Sequence, residues 1–180
     1  MNVRDNRITG EERRILAGLK GLRLLALVST GSETASDEDV IIRTEDKDIR
    51  FHNTEQVPPS SICDCARAVI KTEPIGSFRT SWMTKEPKDA WDESYWSIVR
   101  IDKIVRKVLI YDNEELDSDC NGREFIDKDT ALIVFVFDDS CLVLQHNLIS
   151  VMWTMSYQIG TKVDFDKLFA IEGNLISEEL

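Results

Sequence analysis

From Thr130 to Asn147 the chain is apolar at nearly every position except the trio Asp138-Asp139-Ser140, the pattern of two strands joined by a turn. Because the apolar runs are continuous and not alternating, both strands are expected to be covered on both faces, at the centre of a sheet. A second hairpin is predicted over Val40–Thr44 and Ile49–Asn53 around the charged turn Glu45-Asp46-Lys47-Asp48. Its apolar positions, Val40, Ile42, Ile49 and Phe51, alternate and so define one buried face. Leu22–Ser29 reads as a further strand, Trp96–Tyr111 as a long one bent near Asp102, and Val151–Gln158 as an alternating strand broken by Gly160.

Helical spacing occurs in three places. Thr9-Gly10-Glu11-Glu12 has the layout of a capping box and predicts a helix from Gly10 to Lys20, with Ile15, Leu16 and Leu19 turned inward and Gly21 as its stop. After Pro58-Pro59-Ser60-Ser61, the residues Ile62, Cys65, Ala66, Val69 and Ile70 fall on one side of a helix over residues 60–72 that Pro74 closes. Asp164–Ile171 fits a short final helix ending at Gly173, with Ser177–Leu180 as a frayed tail. The expected fold is therefore a single α+β domain over residues 1–180. It has a mostly antiparallel sheet of about six to eight strands covered by two or three short helices.

The two hairpins resemble each other. Each is an apolar run, an acidic turn, a second apolar run and then His-Asn, at His52-Asn53 and at His146-Asn147. Upstream, Leu19–Leu25 has the apolar spacing of Ile101–Lys107, so residues 19–53 and 101–147 read as a duplicated unit of strand, loop and hairpin, two of which could pair into one sheet or a split barrel.

Composition narrows the class. With 180 residues, 42% apolar and 31% charged, the chain has neither the low hydrophobicity of a disordered polymer nor the long apolar run of a membrane span. Met1–Arg7 is polar and lacks the apolar core of a signal peptide, so a cytoplasmic location is expected, with the four cysteines reduced. Of the net charge of −11, the last third carries most: residues 111–180 hold fifteen acidic and four basic side chains. Such a field repels phosphate backbones and anionic membranes and attracts a basic protein or a cation.

Candidate chemistry is sparse. Asp117-Ser118-Asp119-Cys120-Asn121-Gly122 places oxygen ligands at alternate positions before a glycine, as a hard cation requires. It resembles the opening half of an EF-hand calcium loop, which would make Asp117, Asp119 and Asn121 metal ligands. The resemblance ends there, because Lys128 stands where the bidentate glutamate belongs and strands flank the loop; Asp127 or Asp129 would have to serve as the late ligand. Cys63 and Cys65 lack a second pair at zinc-site spacing, and no nucleophile elbow, phosphate loop or dinucleotide fingerprint is present. Trp82, Trp91 and Trp96 lie in or beside an irregular segment, where large rings either lid the core or form a contact patch.

Two functions follow as expectations. The first is a non-enzymatic interaction protein that engages a basic partner, in the manner of an immunity or antitoxin protein, with Trp82, Trp91, Trp96, Asp127 and Asp129 as contact residues. The second is a small-molecule- or calcium-binding domain.

Overall fold

A computed structural model describes residues 2–30, 39–56, 65–75, 96–118, 121–149, 152–161 and 175–180. Among these are eleven strands and one helix: β1 (Asn2–Asn6), α1 (Gly10–Ala17), β2 (Arg23–Thr30), β3 (Asp39–Thr44), β4 (Lys47–Gln56), β5 (Cys65–Pro74), β6 (Trp96–Ile104), β7 (Lys107–Ser118), β8 (Glu124–Val136), β9 (Cys141–Ile149), β10 (Met152–Gly160) and β11 (Ile176–Glu179). One sheet runs β10-β9-β8-β7-β11, with β1 added beside β8; the other runs β5-β4-β3-β2-β6. All pairings are antiparallel except β1 with β8. No helix among the described residues is long and apolar enough to cross a membrane.

This overturns the α+β expectation. The protein is mostly β, in two sheets and not one, and the helical cover is absent from the described part except for α1. The clearest reversal is the helix expected over residues 60–72, because Cys65–Pro74 pairs with β4 over ten consecutive positions. Ala68 and Ile70 are buried while Lys71 and Thr72 are exposed. Both periods were available in Ala-Arg-Ala-Val-Ile, and pairing along the open edge of β4 settled the choice in favour of a strand rich in β-branched residues.

The tail is also not frayed. Ile176–Glu179 pairs with Asp112–Leu109, and the Leu180 N–H donates to the Val108 carbonyl at 2.9 Å. The polar start of the chain, assigned no element from sequence, is strand β1. The helix expected over 164–171 and the segment containing Trp82 and Trp91 lie outside the described residues.

The predicted capping box is present: the Thr9 hydroxyl accepts from the Glu12 N–H, and the Glu12 carboxylate accepts from the Thr9 N–H. The helix is shorter than expected, ending at Gly18, while Gly21 takes a left-handed turn with φ +87°. The single long strand expected over Trp96–Tyr111 is instead two strands, β6 and β7, which belong to different sheets and part at Val105 and Arg106; the bend near Asp102 is a bulge within β6. Asp102 has φ +53°, and two residues of β6 are spanned there by one of β2.

The two predicted hairpins, β3–β4 and β8–β9, face each other across the core instead of joining in one sheet. Phe51 and Phe135 meet between them with Ile42, Ile49, Ile133, Leu142 and Leu144, and Leu16 and Leu19 belong to the same cluster. On the far side of β8–β9, Leu132, Val134, Cys141 and Val143 form a second buried cluster. The central hairpin is thus covered on both faces, as its unbroken apolar runs predict.

One irregularity sets the chemistry of the longer sheet. Tyr111 faces Leu132 but Asp112 faces Thr130, so Ala131 is an extra residue bulged out of β8. Beyond it the faces exchange parity: Thr130 and Lys128 lie on the inner side, and Asp129, Asp127 and Phe125 on the outer side.

Candidate functional site

Beyond the core, the ends of β7 and β8 and the whole of β1 form a three-stranded arm. From Asp112 to Asp129 the chain carries eight acidic side chains and two basic ones. Residues 114–118 are all exposed. The arm presents two different faces.

On the outer face lie Asn113, Glu115, Asp117, Asp127 and Asp129. Asp127 and Asp129 are each only 5% exposed. Asp127 accepts from both ends of the Arg4 guanidinium and from the Asn6 amide, and Arg4 stacks 4.4 Å over the Phe125 ring. β1 is thereby fastened to β8 by side chains as well as by its ladder. Among the described residues no cation pairs with Asp129. Burial pushes its carboxyl up to about 6, and the charges of Asp127 and Glu115 add to the effect against a hydrogen bond from Asn113.

On the inner side, where the arm meets α1 and β5, there is a cleft of about 660 Å3 lined by Arg7, Arg13, Arg67, Asp5, Asp112 and Glu178. Every cation here has an anion. Arg7 pairs with Asp5, and Arg13 bridges Asp112 at 2.7 Å and Glu178 at 2.5 Å. Arg67 pairs with Glu12, which also accepts from the Ile70 N–H at 3.0 Å and so ties the start of α1 to β5. Burial would raise the Glu12 carboxyl, but hydrogen bonds from Thr9 and Ile70 and the Arg67 charge hold it below its ordinary value. Among the described residues the arginines that line the cleft each hold a carboxylate.

At the opposite end of β8 the turn carboxylates are also matched. Arg106 pairs with Asp138 at 2.8 Å and Lys103 with Asp139 at 2.7 Å. The acidity is therefore paired at the turn and around the cleft; on the outer side of the arm Asp127 is held by Arg4, Asp117 lies 3.8 Å from the same guanidinium, and Glu115 is exposed with no cation paired to it among the described residues.

The predicted site residues separate accordingly. Asp117, next to last in β7, has its side chain about half exposed and 3.8 Å from the Arg4 guanidinium, and Asn121 sits in the turn with Gly122, whose φ of +74° suits a tight connection between strands. Asp119 lies outside the described residues, and no group of three metal-binding side chains occurs among those described. Asp127 and Asp129 are buried, Asp127 tying β1 to β8 through Arg4 and Asn6, so they do not present their charge at the surface. Trp96 opens β6 opposite Thr30, and Trp82 and Trp91 lie outside the described residues. Arg4, Asn6, Arg13 and Arg67 were missed from sequence. Their only signal is the alternation Arg4, Asn6 against Asp5, Arg7, which lacks the apolar residues that mark a strand.

Compared with known proteins, the chain matches no protein family, no curated protein and no solved structure.

Proposed function

We propose that this protein is a non-enzymatic interaction module of the cytoplasm that binds a basic protein partner through the acidic arm of β7 and β8. One observation carries the reading: Glu115 and Asp117 are exposed toward the end of β7 with the apolar Leu116, 61% exposed, between them in sequence, and the Arg4 guanidinium that Asp117 approaches at 3.8 Å is already held by Asp127. The carboxylates of the turn and of the cleft are held by arginine or lysine of the same chain. An exposed acidic stretch only partly offset by a cation of its own chain is suited to steering and orienting a cationic partner. The role is the one an immunity or antitoxin protein plays toward a toxin domain. A small-molecule function for the cleft has less support, because its arginines already hold carboxylates.

The test is affinity capture at low ionic strength with wild type and with Glu115→Lys/Asp117→Lys. Wild type is expected to recover a basic protein, in an amount that falls steeply between about 0.05 and 0.5 M salt, and the charge-reversed variant to recover none. Failure of wild type to retain any basic protein at low salt, or equal capture by both, would overturn the proposal.

A further inference from the structure

We infer that the partner's contact is a strand, a basic extended segment that adds to the open edge of β7 at Glu114–Ser118. This deepens the proposed function and rests on it. β7 has β8 on one side along its whole length and β11 on the other, but β11 reaches only from Leu109 to Asp112. Past Asp112 no described strand pairs with that second side.

The direction of the backbone groups follows from the ladder. In antiparallel pairing a residue sends its N–H and its C=O to the same neighbour, and successive residues alternate. The Val108 carbonyl receives the Leu180 N–H, so Val108, Ile110 and Asp112 address β11. The bulge belongs to β8, not to β7, so the alternation continues unbroken and Glu114, Leu116 and Ser118 turn their N–H and C=O groups away from β8. Open edges of this kind accept added strands unless charge or cover prevents it.

The side chains state which strand fits. Glu114, Leu116 and Ser118 lie on the inner face, where Val3, Ile126 and Leu116 make one cross-strand row; Val3 and Leu116 are 57% and 61% exposed. Asn113, Glu115 and Asp117 lie on the outer face. An incoming strand with apolar residues on one side and lysine or arginine on the other would extend the apolar row and meet the carboxylates. A second copy of this chain would instead set glutamate and aspartate against their own kind, so the same acids that attract a basic strand disfavour self-pairing through this edge.

The experiment uses the full chain and, as probe, an eight-residue peptide alternating lysine and valine, followed by residue-resolved amide exchange at low salt. Saturation is expected to slow exchange at Glu114, Leu116 and Ser118 by at least about tenfold and to leave Asn113, Glu115 and Asp117 nearly unchanged. As a second readout, Leu116→Pro, which deletes an N–H on the open side and spares the β7–β8 ladder, is expected to weaken peptide binding about tenfold relative to Leu116→Thr. Peptide binding that Glu115→Lys/Asp117→Lys weakens but that leaves the three amides unchanged would overturn strand addition while leaving acidic docking intact. Protection of those amides before any peptide is added would overturn it too, since the edge would then be occupied already. Absence of peptide binding by wild type would also overturn it, and capture of a basic protein would then judge the proposed function separately.

Discussion

Phe51 of β4 and Phe135 of β8 meet edge to face across the two sheets, with ring centroids 6.4 Å apart and planes at 82°. Both are fully buried, so the pair lies at the point where the two hairpins hold the layers together. Phe51→Leu and Phe135→Leu are each expected to destabilise the protein by about 1–2 kcal/mol. A double-mutant cycle should return about 0.5–1.5 kcal/mol of coupling, measured by urea unfolding. Additive losses would mean that the ring contact itself contributes nothing beyond burial.

Glu12 is expected to be the most sensitive acidic position. Glu12→Ala removes the buried carboxylate that pairs with Arg67, frees the Ile70 N–H and removes half of the capping box, for a loss of about 3–5 kcal/mol. Glu12→Gln keeps the shape and should lose less. Because hydrogen bonding and Arg67 hold the folded-state value below the ordinary 4.5, the ionised form contributes stability above that pH. The contribution disappears as pH falls through the lower, folded-state value. Unfolding midpoints of wild type and Glu12→Gln should therefore converge in acid and separate near neutrality.

Asp129 behaves with the opposite sign. Its folded-state value of about 6 lies above the ordinary 3.8, so the folded protein takes up a proton that the unfolded chain does not. Ionised Asp129 costs stability above about pH 6, and the cost is relieved as pH falls toward about 4. Asp129→Asn is expected to stabilise the protein at pH 7 by on the order of 2 kcal/mol and to have little effect at pH 4. Denaturation at the two pH values checks this, and an asparagine that destabilises at pH 7 would contradict it.

The bulge at Ala131 supplies a test of register. Deleting Ala131 leaves Leu132 on the outer side, Thr130 on the inner and Asp129 on the outer, so the shortened strand is expected to fold with one cooperative transition. Inserting one alanine beside it reverses the faces of Asp127 and Asp129 relative to Arg4, and a loss of more than about 3 kcal/mol is expected. Thermal melts followed by circular dichroism distinguish the two outcomes.

The local patterns carried much of this fold. The central hairpin, the second hairpin and the cap at Thr9 each depend on interactions within a few residues, and each was legible in the residues themselves, whereas the single strand expected over Trp96–Tyr111 is divided between the two sheets. What tertiary pairing decided was of another kind. Ala68 and Ile70 joined a strand because β4 offered an edge, Ile176–Glu179 became ordered because β7 offered another, and Arg4 found its carboxylate on a strand more than a hundred residues away. The bulge at Ala131 exchanges the faces of β8 with nothing in its own sequence to announce it. For that reason Asp127 and Asp129, which read as surface acids, are buried, Asp127 as the partner of Arg4, and of the acidity that the sequence located in its last third Glu115 and Asp117 stay exposed toward the end of β7. Side chains determine period and turns locally; which backbone edge is open, and which charge already has a partner, exists only after the sheets have assembled.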